Sequence, residues 1–257
     1  MIGAFLVSVG CVWLRHFTVF RKNAFFFAVS MLAEPVLYLF AFGYGVGGLV
    51  GSVHIHGAET SYRSFVISGV VGQAVLFQGF TECAYGGFVR MYYQRIFQSI
   101  AITPITLSEV LWAELSWGTT RGTVAAFVVA VIGVLAGDFR LVSPLLLLPL
   151  CVVGSLLFAS MGLLTAALSK NIDQLSYPQY LVVVPMFLVC GVFYPVESLP
   201  PVAQQIAWAL PLTGLNSLCR TIALGFPFEP KAIVVITAWL VPLVVLSRRS
   251  MIRRLVK

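Results

Sequence analysis

The chain has 257 residues, 60% of them hydrophobic and only 10% charged, with a mean hydropathy of +0.98, where a soluble domain carries roughly one quarter charged residues. This excludes a soluble globular fold and makes the chain an integral membrane protein of one domain, residues 1–257, because no segment outside the apolar runs is long enough for a core of its own. The net charge of +7 suits a membrane protein that gathers Lys and Arg on its cytoplasmic side, and no basic patch with stacking aromatics points to nucleic acid.

Residues 1–24 begin apolar, but Arg15, Arg21 and Lys22 follow the hydrophobic stretch instead of preceding it, the wrong order for a signal peptide. Leu6, Val9, Trp13, Phe17 and Phe20 share one helical face, and Ser8, Arg15 and Lys22 the opposite one. The spacing predicts an amphipathic helix lying in the membrane interface. Residues 25–50 are the first predicted span, since roughly 20 apolar residues cross a bilayer. Its one charge, Glu34, precedes Pro35. An ionisable group in a membrane usually faces a partner or a polar cavity, and the proline frees a carbonyl one turn earlier, so a kink is expected there. Gly43-Tyr44-Gly45-Val46-Gly47-Gly48 contains G-x-G-x-x-G, but these glycines close a membrane helix and do not follow a strand. Close helix packing at Gly43 and Gly47 is expected instead. Residues 51–64 read as a short polar loop, in which His54 and His56 lack a third metal ligand.

Residues 65–87 form the second span, with Glu82 near its end. Residues 87–111 are the least membrane-like internal stretch and hold Phe88, Arg90, Tyr92, Tyr93, Arg95 and Ile96. Tyr92, Ile96 and Ile100 fall four apart, and Arg90, Gln94 and Gln98 form another row, which predicts a short aromatic and basic helix. Held between two spans, it is where a soluble partner would push; a loop lying on the headgroups is the alternative. Thr106 and Glu109 fit a capping box that opens the third span, residues 111–136. Glu114 and Arg121 share a face of it, and Gly118 and Gly122 let a neighbouring backbone approach. An ion pair, helix packing or contact with cargo are the roles open to this face.

Spans at 144–168 and 176–194 are uncharged, the second with Pro178 and Pro185. Residues 195–231 are irregular. Ser198 with Pro200 and Pro201 marks a helix start, Pro211 breaks it, and a second piece ends near Gly225. Neither piece is long enough to cross, so both would dip into the membrane and return. Residues 232–247 are a short last span, followed by a basic tail of Arg248, Arg249, Arg253, Arg254 and Lys257. The five cysteines, Cys11, Cys83, Cys151, Cys190 and Cys219, form no C-x-x-C pair and read as small buried hydrophobes.

Six crossings leave both termini on one side. With the termini inside, the inner segments hold Arg15, Arg21, Lys22, Arg90, Arg95, Lys170 and the tail, and the outer ones only Arg63, Arg140, Arg220 and Lys231. This positive-inside bias puts residues 87–111 in the cytoplasm and residues 195–231 outside.

Four groups of residues then point to a family: Glu34-Pro35 with residues 38–45; Glu82 through Arg95; Thr103-Pro104-Ile105 with Glu114; and the outer signature Phe193-Tyr194-Pro195, Leu199-Pro200 and Pro211-Leu212-Thr213. On these the chain resembles a type 2 ATP-binding-cassette (ABC) transporter permease over essentially its whole length, and most closely the nodulation-type lipo-chitooligosaccharide exporter permeases. Many relatives carry a polar or aromatic residue after Pro-Leu-Thr, where Gly214 stands here. The resemblance implies an all-α membrane protein of six transmembrane helices, with an N-terminal interfacial helix, a cytoplasmic coupling helix between spans two and three, and broken outer-face helices between spans five and six.

It further implies that Phe88, Arg90, Tyr92, Tyr93, Arg95 and Ile96 couple to an ABC ATPase subunit, and that Phe193, Pro195, Leu199, Pro200, Pro211, Leu212 and Thr213 form an outer gate. Glu34, Glu82, Glu114 and Arg121 are the intramembrane polar residues. The implied partners are that ATPase, a second permease subunit as a homodimer, and membrane lipids. The chain has no G-x-x-x-x-G-K-[ST] phosphate loop, so ATP and Mg belong to the partner, and no cofactor, metal or catalytic residue is expected here. The expected activity is outward movement of an amphipathic or lipid-linked saccharide across the bacterial inner membrane; a drug or polysaccharide would require few recognisable changes. An ion-coupled secondary transporter would use the same carboxylates, but the two halves show no internal repeat. An intramembrane enzyme would need converging reactive groups, whereas His16, His54 and His56 all fall outside the predicted spans.

Overall fold

The computed structural model describes residues 2–55 and 58–255. In lipid an apolar run satisfies its backbone only as a helix or in a closed barrel, and this chain takes the helical route almost throughout. In order come α1 (Ile2–Lys22), α2 (Ala24–Val50), strands β1 (Ser52–Ile55) and β2 (Ala58–Ser61), α3 (Tyr62–Tyr93), α4 (Ile96–Ala101), α5 (Leu107–Leu135) and α6 (Ser143–Leu168). A broken helix α7 over residues 176–189 follows, then α8 (Pro201–Ala209), α9 (Pro211–Leu224) and α10 (Pro230–Leu255).

Among the described residues six helices are long and apolar enough to cross a bilayer, namely α1, α2, α3, α5, α6 and α10. This set differs from the expected one at two places. The apolar N-terminal helix qualifies by length, and the span expected at residues 176–194 does not. Pro178, Pro185 and a wide π-helical stretch at Gln179–Val183 interrupt that segment, and it ends at Gly191, whose φ of 70° closes a turn. At 1.5 Å per residue α7 is about 21 Å long, against a hydrocarbon core of roughly 30 Å, and residues 190–193 complete the passage from the end of α6 to Phe193, which stacks on Phe42 at the other end of the bundle.

The central helix is α3, buried on nearly all sides, and the main apolar cluster is built round its Phe65, Val70, Leu76 and Phe80. Glycines set how closely its neighbours come. A methyl at Gly122 of α5 would lie 2.5 Å from Ser155 Oγ, and one at Gly79 of α3 would lie 3.0 Å from Ser155 O. Gly118 and Gly122 therefore do mark a close approach, as their spacing predicts. Gly43 and Gly47 do not: the nearest atoms of α3 are Arg63 Cγ and Tyr62 Cδ1, each at an ordinary 3.6 Å. Pro35 does not end α2, and the carbonyl it leaves free, Met31 O, accepts from Gln78 Nε2 at 3.4 Å.

Three other expectations change. Residues 51–64 are not a loop but an antiparallel strand pair, Ser52 facing Ser61 and Val53 facing Thr60, after which α3 begins. His56 lies outside the described residues. The last helix continues to Leu255, so Arg248, Arg249, Arg253 and Arg254 of the basic tail lie in its final two turns, and Lys257 lies outside the described residues. On α1 the protein-facing side is Val9, Val12, Trp13, His16 and Phe20, whereas Leu6 and Phe17 are exposed. The helix turns toward α5 because Trp13 Nε1 donates to Thr120 Oγ1 at 3.1 Å and His16 meets Glu114.

Candidate functional site

Two π-helical turns near the C-terminal end of α3, Glu82–Gly86 and Val89–Tyr93, shape the site. In a regular α-helix residues 82 and 90 would be about 80° apart around the axis, but wider turns rotate less per residue and bring both to one side. Arg90 Nη1 then donates to Glu82 Oε1 at 2.8 Å within the same helix. Its other edge grips Glu114 of α5, Nε reaching both carboxylate oxygens at 3.1 Å and Nη2 reaching Oε2 at 2.7 Å. Glu82 is also held by Trp117 Nε1 at 3.0 Å and by Arg121 Nη1. His16 Nε2 lies 3.1 Å from Glu114 Oε1. Arg121 continues to Gln78 at 3.3 Å, which bonds Met31 of α2.

One charge network thus ties α1, α2, α3 and α5 together. Burial makes such contacts strong and makes an unmatched member costly; the side chain of Arg90 is 13% exposed and that of Glu114 only 1%. Sequence reasoning named Glu82, Glu114 and Arg121 and left an ion pair between the last two open. They are instead partners of residues on other helices. It also put Arg90 on the docking surface and His16 outside the predicted spans, and both are in the network. Glu34 is not: it sits half-buried on α2 beside Gln73.

The expected single helix through residues 88–100 is interrupted. Arg95 has φ 50°, the only positive value among the described non-glycine residues, and it separates α3 from α4. Tyr92 and Ile96 are therefore not on one helical row. Tyr92 and Tyr93 remain 54% and 59% exposed beside Gln94, Arg95 and Gln98, whereas Phe88 is fully buried and Ile96 half-buried. Beneath this exposed elbow a second apolar cluster gathers Phe88, Met91 and Phe97 with Leu111, Leu163 and Met251, so the elbow stands on the ends of α5, α6 and α10. Arg254 of α10 donates to Ala166 O at 2.5 Å, capping the last turn of α6. The capping box at Thr106 is present, Thr106 N donating to Glu109 Oε2 at 2.6 Å.

At the opposite end the outer signature divides in two. Phe193 stacks on Phe42 at 4.0 Å between centroids and meets Tyr38 at 5.6 Å, with Pro195, Leu199 and Pro200 leading from there into α8. Pro211, Leu212 and Thr213 are buried at the start of α9 and anchor that helix to the bundle. Two residues that sequence reasoning did not single out lock α9 onto α3. Asn216 Nδ2 donates to Cys190 O at 3.1 Å, and its Oδ1 occupies the space a methyl at Gly72 would take. Arg220 donates to Gly191 O and to Ser68 Oγ, the latter at 3.2 Å, with its guanidinium 3.9 Å from the Phe65 ring centre. Their four-residue spacing in an apolar helix was the available signal. Among the described residues no three His, Cys, Asp or Glu side chains converge as metal ligands.

Residues 8–224 match the family described as ABC-2 type transporter. The chain is 31% identical over 247 residues to "Nodulation protein J" of Rhizobium leguminosarum bv. viciae, covering 93% of this chain and 94% of that one. It is 33% identical over 216 residues to the protein of the same name in Rhizobium leguminosarum bv. trifolii, covering 84% and 81%. Against "Inner membrane transport permease YadH" of Escherichia coli (strain K12) the identity is 24% over 234 residues, covering 90% and 88%.

Proposed function

This chain belongs to the ABC-2 type transporter family and is its multi-pass membrane subunit; from that premise we propose that it is the permease of an ATP-driven exporter. The observation that carries the reading is the direct join between the exposed elbow at Tyr92–Arg95 and the buried network, made by Arg90 only two residues from Tyr92. A separate ATPase subunit, holding ATP and Mg, docks on Tyr92, Tyr93 and Arg95. Its closure displaces the elbow, and the pull reaches Glu82 and Glu114, hence α1 and α5, through the arginine fork. Such a force biases the bundle between inward-open and outward-open states.

Two such permeases pair in the bilayer of the bacterial inner membrane with both termini in the cytoplasm, α1 lying along the inner interface. The cargo is an amphipathic or lipid-linked saccharide, a reading supported by the similarity to the nodulation proteins, and α8 with α9 gates its exit. An ion-coupled mechanism finds less support at Glu82 and Glu114, which are engaged by arginines; Glu34 of α2, the third carboxylate it would use, stands apart from them beside Gln73. The test is the triple variant Tyr92→Ala, Tyr93→Ala, Arg95→Ala, assayed for ATPase co-purification and for cargo export. The expected result is normal membrane insertion with docking and export abolished. Export at wild-type levels, or transport driven by a proton gradient without ATP, overturns the assignment.

A further inference from the structure

The charge network has one open side. Between α1, α2, α3 and α5 lies a cavity of about 490 Å³, lined by the polar side chains of Arg15, Arg90 and Gln94 and by the rings of Phe20, Phe27 and Trp117. Its size is within the range of small-ligand pockets, roughly 300–1,000 Å³. The Glu82 carboxylate also lines the cavity, already matched by Arg90 and Arg121.

The charges do not balance. Arg15, Arg90 and Arg121 face Glu82 and Glu114, three cations against two anions. Arg90 and Arg121 are matched by those carboxylates, and Arg15 has no ion-pair partner among the described residues. It is exposed at the cavity mouth. Next to Phe27 in the chain, Phe25 and Phe26 are each 75% exposed, so the aromatic wall adjoins an exposed apolar surface of α2. A cavity with one surplus cation, an amide donor and an apolar exit is shaped for a single anionic head on a hydrocarbon chain.

We propose that this cavity binds an anionic lipid of the inner leaflet, its phosphate at Arg15 and Gln94 and its first chain segment along Phe20 and Phe27. The volume suits a phosphate headgroup with its glycerol and is too small for an oligosaccharide, which separates this site from the cargo path. A lipid there wedges α1 against α3 at Arg90, so anionic lipid stabilises the arrangement through which force would travel. Binding needs neither ATP nor cargo, and its failure would leave the transport reading untouched.

The test uses the full-length chain purified in detergent and exposed to equal amounts of dioleoyl phosphatidylglycerol and dioleoyl phosphatidylcholine, with retained lipid read by native mass spectrometry. The wild type is expected to retain the glycerol lipid about fivefold over the choline lipid, the preference one surface cation supplies. Arg15→Gln is expected to bring that ratio near one, and Arg15→Lys to keep most of it. Arg21→Gln, on the same helix but outside the cavity, is expected to leave it unchanged. Full preference in Arg15→Gln, or equal loss in Arg21→Gln, overturns the site. Displacement of the lipid by equimolar glycerol 3-phosphate overturns the use of the chain wall, and with it the lipid assignment.

Discussion

Arg90 serves two carboxylates at once, and a planar fork does this where an ammonium cannot. Arg90→Leu would leave Glu114 with His16 as its remaining partner, in a position with almost no access to water. Breaking one side of a buried pair costs about 3–5 kcal/mol, so this variant is expected to unfold at clearly lower temperature in detergent. Arg90→Lys should fall between it and the wild type. The double variant Arg90→Met with Glu114→Gln should lose less than the two single changes added together, and the resulting cycle measures the coupling. Equal additivity would mean the network is not a unit. Glycines give an independent check at the same scale. At Gly162 a methyl would collide with Phe80 O and lie 3.0 Å from Ala84 N, both backbone atoms that cannot swing away, whereas at Gly87 nothing lies within 4 Å. Gly162→Ala is therefore expected to destabilise by about 1–3 kcal/mol through overpacking, and Gly87→Ala to be neutral or stabilising by up to about 1 kcal/mol.

Among the elements, the elbow between α3 and α4 turns on a single residue. A non-glycine residue at positive φ costs about 1–2 kcal/mol, and Arg95 bears that cost at φ 50°. Arg95→Gly relieves it and removes the charge at the same time. The expected outcome is a melting temperature equal to or above wild type together with weakened ATPase docking, which separates the backbone from the side chain; a lower melting temperature would show that the guanidinium holds the elbow instead. This break also marks what the sequence could not disclose. The apolar runs, the capping box and the proline-led starts of α8 and α9 were legible, because each follows from local composition or spacing. The register of residues 88–100 was not, since periodicity assumes one uninterrupted helix and π-turns add residues without changing composition. The partners of Glu114 and Arg121 were equally hidden: seven residues apart they look like a pair, but helix packing brings a closer cation from α3 and a closer carboxylate from Glu82. The hairpin at residues 52–61 was concealed by its polar composition, which reads as a loop when the strands are short.

For the molecule as a whole, the two apolar clusters divide the labour. One surrounds α3 and receives α9, the proposed gate helix, through Leu212, Leu215 and Cys219; the other lies under the elbow at Phe88 and Phe97. Central helix α3 runs through both, so a displacement at its inner end has a continuous, closely packed body to act on, with glycine contacts at Gly79 and Gly122 limiting slack against α5 and α6. Such a body transmits only if its ends lie on opposite faces of the membrane. The distribution of cations supports this: Arg248 bonds Ser108 at 2.6 Å and Arg254 caps α6 at the elbow end, while at the other end Arg63 is neutralised by Asp138 at 2.7 Å. A positive-inside orientation, as proposed above, would set the elbow in the cytoplasm and the strand pair outside. Of the five cysteines Cys11 is exposed and the other four are buried, so a Cys11→Ser background should be nearly silent to a membrane-impermeant maleimide. In that background Glu59→Cys on the hairpin is expected to label in intact spheroplasts, and Gln98→Cys on α4 only in inside-out vesicles. Labelling of both from one side would place gate and elbow on the same face, and no force entering at Tyr92 could then open a path across the membrane.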